Sequence, residues 1–314
     1  VLAAALLVAV SAGAFAQLDL NQMQDDFETF SGDVANGLPF ASTTGLNWSD
    51  AKVRGFPHFG VGLSIESAFL PSAAFEDLAD SLDVDLPSEV TGALGVPFPG
   101  YALDARVGIP ILPIDVGAKF GIITQGMADA ISGATGVEAD YTLVGFDVRY
   151  PIIGGNVVLP AVTASAGYNY LGGGITTEVD GLGTTISTDA GNITVDDPKL
   201  RFAWKTNSLD FKLQASKGLL IFTPTVGLGY TYGWSEAGGG IAAGDVTYPS
   251  GFEDAYDIES DDEGFTILSK ATGGAFRAFA GTQINLTVFK LDLNAKYNFS
   301  SGNLGAGINA RFQI

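Results

Sequence analysis

LGAGINARFQI, residues 304–314, alternates without a break. Leu304, Ala306, Ile308, Ala310, Phe312 and Ile314 are apolar, and Gly305, Gly307, Asn309, Arg311 and Gln313 between them are small or polar. Side chains two apart share a face of a β-strand, so this stretch reads as a strand with one wholly apolar face. The stretch before it repeats the pattern: Leu291, Leu293, Ala295, Tyr297 and Phe299 oppose Asp292, Asn294, Lys296, Asn298 and Ser300. Further upstream, Val226, Leu228, Tyr230, Tyr232 and Trp234 alternate with Thr225, Gly227, Gly229, Thr231 and Gly233. The period of two begins near Phe56 and persists almost to the last residue.

Composition decides what the apolar faces meet. The chain has 314 residues, 46% of them hydrophobic, with a net charge of −20 and a positive mean hydropathy. A water-soluble chain so acidic is rarely so apolar. The contradiction disappears if the apolar side chains face lipid and the acids sit in loops. There is no Cys, which excludes disulfides, thiolate metal sites and an acylated lipoprotein anchor. The acidic balance argues against nucleic-acid partners. Residues Val1 to Ala16 read as a signal peptide, with the apolar run Leu2 to Val10 and an Ala14-Phe15-Ala16 cleavage site before Gln17.

The expected fold class is all-β: a transmembrane antiparallel up-and-down β-barrel of about ten strands, with eight or twelve as the neighbouring counts. The domain organisation is a signal peptide over 1–16, an N-terminal periplasmic or lumen-plug segment over 17–55, and the barrel over 56–314. The strands are expected at 56–69, 100–109, 113–124, 139–150, 158–175, 199–216, 221–235, 273–286, 289–299 and 302–313. In 199–216 the apolar phase slips between Leu200, Phe202, Trp204 and Leu209, Phe211, Leu213, so either a bulge near Thr206 to Ser208 or a hairpin turn there is expected, and the bulge is preferred because it keeps the long loops on one side. Connections 70–99, 125–138, 176–198 and 236–272 are long and the others short. Short turns belong in the periplasm, which also places both termini there. The long loops carry many acids and almost no bases, and residues 72–95 hold one helical apolar face. Leu18 to Phe30 is weakly helical, and Gly32 to Asp50 is loop-like.

The inward faces carry a charged belt of Glu66, Asp104, Arg106, Asp115, Lys119, Asp147, Arg149, Asp210, Lys212, Arg277, Asp292, Lys296 and Arg311. Asp104 with Arg106, Asp147 with Arg149, and Asp210 with Lys212 lie two apart, which suggests ion pairs along single strands. The belt either fills a narrow lumen or gates a solute. Above it, Gly227, Gly229, Gly233, Gly305, Gly307, Gly167, Ser64, Thr163 and Ser165 leave room for water, a ligand, or residues 18–50 as a plug. The alternative for that segment is a flexible periplasmic tail. Catalysis is not expected. His58 is the single histidine and no carboxylate is placed beside it by spacing. Neither a metal site nor a cofactor is expected. The acidic run 257–264 lacks the spacing of a Ca²⁺-binding EF-hand loop.

The signal peptide, the dyad alternation and the terminal strand with Phe312 and Ile314 resemble small bacterial outer-membrane barrels over residues 56–314. OmpW-like barrels are similar in their narrow lumen and long outer loops. The stretch Gly32 to Gly62, with Gly-Leu-Pro-Phe at 37–40 and then Trp48, resembles the N-terminal segment of FadL-like hydrocarbon transporters. The resemblance implies a bacterial outer-membrane location, with membrane lipid, the barrel-insertion machinery and periplasmic chaperones as partners. It implies a passive conduit or binding barrel for a small solute, hydrophobic ones included. The alternative is a structural or adhesive surface barrel with a closed lumen.

Overall fold

Val61 stands opposite Phe312 and Leu63 opposite Ala310, so the first strand of the chain closes against the last. The computed structural model describes residues 20–73, 76–77, 95–178, 184–188, 191–195, 199–242, 246–247 and 265–314. Ten strands form one closed antiparallel barrel in which each pairs with its sequence neighbours. They are β1 (Phe59–Leu70), β2 (Val96–Gly108), β3 (Asp115–Ile122), β4 (Val137–Gly154), β5 (Ala161–Glu178), β6 (Lys199–Ser216), β7 (Phe222–Ala242), β8 (Phe265–Leu286), β9 (Phe289–Asn298) and β10 (Leu304–Gln313). Two helices accompany them, α1 (Leu20–Ala41) and α2 (Gln125–Thr135). The expected signal peptide, most of the helix over 72–95 and the acidic run 257–264 lie outside the described residues.

The apolar faces point out. Ile65 is 60% exposed, and Val61, Leu103, Phe120, Phe146, Phe211, Leu228 and Ile308 are exposed with it, while their polar neighbours are buried. In water such a surface would aggregate. In a bilayer it is the lipid-facing band, and barrel closure pairs the backbone groups that lipid cannot satisfy. The protein is a membrane-spanning β-barrel.

Strand β6 contains no bulge. Its register with β5 and β7 runs unbroken from Lys199 to Ser216. Leu200 and Phe202 are buried inside, in one phase with Thr206, Ser208 and Asp210, and Arg201 and Lys205 face out. The apolar residues turn inward because the upper lumen is not aqueous: the ring of Phe202 lies 4.9 Å from Phe30 and 6.0 Å from Phe27 of α1. Helix α1 thus extends well past Phe30, through the stretch expected to be a loop, with Phe30, Val34, Ala35, Leu38 and Phe40 buried against the strands.

Helix α1 starts at the long-loop end, where Ser269 Oγ donates to Glu28 O. The chain then descends through the lumen. Ala51 N donates to Ser216 Oγ at 2.8 Å, at the short-turn end of β6, and residues 52–58 lead into β1. The described chain therefore begins at the long-loop end, while the barrel wall both starts, at Phe59, and finishes, at Gln313, at the short-turn end. The small lumen residues are also filled. A Cβ at Gly233 would stand 2.4 Å from Pro39 Cγ, and one at Gly307 2.3 Å from Glu66 Cγ. Gly233→Val should displace α1 from the wall at about 1–3 kcal/mol. Hydrogen exchange of residues 34–44 should accelerate while the strand amides keep their protection. Unchanged exchange there would mean that the helix does not rest on this wall.

Candidate functional site: a filled lumen and a notch in its wall

Every belt residue expected from the sequence faces inward, and all are buried except Lys212, whose side chain is 10% exposed. Most pairs form across strands rather than along them: some join adjacent strands, where partners lie nearer than residues two apart on one strand, and Arg106–Asp147, Arg277–Asp210 and Lys296–Glu66 reach over glycines of the strand between, at Gly117, Gly229, Gly305 and Gly307. Arg106 binds Asp115 at 2.8 Å and Asp147 at 2.9 Å. Arg149 binds Asp115 at 2.6 Å, and Arg277 binds Asp210 at 2.7 Å. Lys296 meets Glu66 at 3.0 Å, and Arg311 pairs with Asp292. Lys212 sits 3.7 Å from Asp147 and 3.9 Å from Asp210, the one expected same-strand pair that forms. Asp104 with Arg106 and Asp147 with Arg149 do not.

Asp104 and Lys119 are committed instead to residues 42–48. Asp104 accepts hydrogen bonds from Leu46 N and Trp48 Nε1, both at 3.0 Å, and from Ser64 Oγ at 2.7 Å and Asn309 Nδ2 at 3.0 Å. Lys119 Nζ donates to Ser42 O at 2.7 Å and Thr44 O at 2.5 Å. Those carbonyls lie just past the C-terminal end of α1, where a cation offsets the negative end of the helix dipole. The hydroxyls of Ser42, Thr43 and Thr44 donate back to the carbonyls of Pro39, Phe40 and Ala41, which satisfies acceptors the helix end leaves open. Trp48 lies between two guanidiniums, with Arg311 at 4.3 Å and Arg106 at 5.4 Å from the ring centre. Beside Trp48 and Lys212 the free space is about 20 Å³, room for a water molecule but not for a channel.

The wall is incomplete above β3. This strand ends at Ile122, paired with Thr142 of β4, and on β2 its pairing stops at Leu103. Among the described residues, the upper part of β2, Val96–Ala102, therefore has β1 on one side and no strand on the other. Pro97 and Pro99 stand two apart there, so both positions that lack an N–H turn to the same side, as suits an edge strand. Tyrosine hydroxyls cover the gap: Tyr141 OH donates to Tyr101 O at 3.1 Å, and Tyr101 OH donates to Ile122 O. The two rings stack at 5.3 Å. Helix α2, within a segment expected to be plain loop, lies beside the gap.

A cavity of about 410 Å³ opens at this notch. Phe30 and Val34 of α1 line it from the lumen, Ile175 and Trp204 from β5 and β6, and Ile65 and Tyr101 from the outer side of the wall. A second cavity, of about 420 Å³, lies across α1 against β7 to β9 and the turn that follows β9, with Asp33, Ser235 and Asn303 on its lining. The notch was missed in the sequence. Its one signal was the pair of prolines, Pro97 and Pro99, just before the expected start of the second strand.

His58 lies at the short-turn end, with Nε2 3.0 Å from both Arg54 Nη1 and Gln313 Nε2. Two donors on one nitrogen require it to be the acceptor of a neutral ring. Desolvation, reinforced by the Arg54 charge, lowers its pKa below 6.5. Its stabilising contribution is present above that unfolded value and disappears as pH falls through the lower folded one. A pH titration of the single histidine ring by NMR should show the depressed midpoint. Phe312 and Ile314 face outward, and Phe312 packs 5.9 Å from Phe289 and 6.4 Å from Phe59. Trp48→Ala should destabilise the protein by about 3–5 kcal/mol, and Asp104→Ala by a similar amount because it strands several buried donors. Urea unfolding would measure both. A loss below about 1 kcal/mol would mean that residues 42–51 contribute little to holding the barrel.

No curated protein matches the sequence. Among solved structures, the outer-membrane protease OmpT from Escherichia coli is 11% identical, with a TM-score of 0.41 over 82% of this chain and 97% of that one. The translocator domain of the autotransporter NalP from Neisseria meningitidis is 8% identical, with a TM-score of 0.35 over 98% and 99%. The transport unit of the autotransporter AIDA-I from Escherichia coli is 10% identical, with a TM-score of 0.35 over 90% and 99%. Likenesses this distant carry nothing about activity. A family model described only as of unknown function matches residues 144–312, from β4 to β10, and the chain belongs to that family, DUF6588.

Proposed function

We propose that the protein binds a small apolar molecule in the notch cavity and passes it sideways between the outer mouth of the lumen and the membrane. The observation that carries this reading is the lining of the cavity. Phe30 and Val34 belong to the lumen filling, Ile65 belongs to the lipid-facing surface, and one apolar space touches all three. A molecule held there leaves water without crossing the charged belt, which residues 42–51 close. Cavities of this size bury most of a small ligand's surface, and hydrophobic walls supply the affinity. A polar solute would gain little from this lining.

The closed belt also favours the structural or adhesive reading, in which the lumen carries nothing. Ligand binding separates the two. An environment-sensitive apolar fluorophore such as N-phenyl-1-naphthylamine, added to the protein in detergent, should bind saturably at one site. Val34→Ser and Ile175→Thr should each weaken it about tenfold, in line with the area each removes from the lining, while the heat-dependent gel shift of the folded barrel stays. Equal binding in wild type and variants, or none in folded wild type, would overturn the proposal. Rapid permeation of hydrophilic sugars through liposomes holding the intact protein would overturn it too.

A further inference from the structure

The basic residues of the chain fall into three groups. Seven lie in the belt. Lys52, Arg54, Lys217 and Lys290 lie at the short-turn end, and Lys199, Arg201, Lys205 and Lys270 lie at the long-loop end. The last group stands on two strands, β6 and β8, with β7 between them. Arg201, Lys205 and Lys270 are exposed on the outward face. In a chain of net charge −20 whose long loops are acidic, this grouping is the positive charge available at that end outside the lumen.

Register sets its height. Outward-facing Tyr232 and Trp234 on β7 stand opposite Leu209 and Asn207 on β6 and Gly274 and Thr272 on β8. One strand further, Tyr168 and Tyr170 face out on β5, and Tyr168 OH donates to Asn207 Oδ1 at 2.5 Å. These rings form an aromatic band of the kind that sits at the membrane–water interface. The next outward row, two residues higher, is Lys205–Glu236–Lys270. Two residues of strand rise about 6–7 Å, which takes this row from the ring level to the headgroup level. Glu236 is shared, 2.8 Å from Lys205 and 3.6 Å from Lys270, so one carboxylate between two ammonium groups leaves positive charge over. Arg201 lies four residues above Lys205 on the same face, with no ion pair among the described residues. The outward carboxylates Glu138 and Asp140 belong to β4, two strands from β6, and Glu178 is in register with Lys199.

We propose that Arg201, Lys205 and Lys270 form a binding face for the phosphate groups of an outer-leaflet lipid headgroup. The ammonium groups act as point charges and the guanidinium as a two-pronged donor to phosphate oxygens, while the tyrosine and tryptophan rings below lie along the acyl chains. The lipid would wrap the wall on the side of the barrel away from the notch between β2 and β4.

The test uses the full chain in neutral detergent with a bis-phosphorylated lipid A as probe, and native mass spectrometry to count retained lipid. Each basic residue near a membrane surface adds measurably to anionic-lipid affinity, so the triple variant R201Q/K205Q/K270Q should retain lipid at least about tenfold less well than wild type. K217Q/K290Q, at the other end, should retain it unchanged. Dephosphorylated lipid A should bind wild type no better than the triple variant, and added salt should weaken the wild-type complex. Equal retention by wild type and triple variant would overturn the proposal. So would competition by millimolar inorganic phosphate, which would make the face a free-anion site. The gel shift of the folded barrel reports folding of each variant separately. If the triple variant fails to fold, K205Q/K270Q carries the same comparison.

Discussion

Buried charge needs a partner, and in this barrel the wall alone does not supply one for every group. Glu66, Asp115, Asp147, Asp210 and Asp292 find cations one or two strands away in the wall. Asp104 and Lys119 instead face the backbone and side chains of residues 42–48. An ion removed from water without a partner destabilises a fold by several kcal/mol. The threaded segment is therefore part of the barrel's electrostatic structure rather than an appendage to it. Its sharp hydrogen-bonded turn past Ala41 also determines where α1 ends, and so how far the apolar face of the helix reaches up the lumen.

The helix leans on β6 to β8 and β1 and leaves the opposite side of the upper lumen open. That side is where β3 stops short. A lumen filled asymmetrically and a wall with one short strand together make a cavity that neither feature would make alone. The tyrosine hydroxyls and the two prolines let the wall stop there without leaving rows of unsatisfied donors and acceptors. Such a gap is tolerable only where polar backbone groups are answered locally, and Tyr101 and Tyr141 do this while remaining apolar toward the cavity.

Much of the architecture was legible from periodicity. The alternation in 304–314 identified the strand type, the facing and the membrane, and the same alternation sorted all the belt residues onto the inner face. Periodicity reports facing but not partners, so it paired Asp104 with Arg106 when the true neighbours lie across strands. The slip in 199–216 pointed to a bulge because a single strand there keeps every long loop on the same side of the barrel. Leu200, Phe202 and Trp204 were instead announcing an apolar object inside. Gly32, Gly37 and Pro39 argued for a loop on local propensity, but a helix enclosed by strands draws its stability from packing, which propensity does not report. The notch was hidden because strand length is set by tertiary pairing.

Residues 42–51 run down the lumen, and the chain turns at 52–58 to climb the wall as β1, the strand that closes on β10. The seam strand is thus tethered to the segment that neutralises the interior. A ring already closed offers that segment one entrance, from the short-turn end with α1 leading, and its aromatic face would have to slide past the charges of the belt. A ring that closes last can be laid around the helix, with Trp48 and Asp104 meeting before β1 and β10 do. In chain connectivity, the segment that fills the barrel and the strand that seals it are joined through residues 52–58 alone.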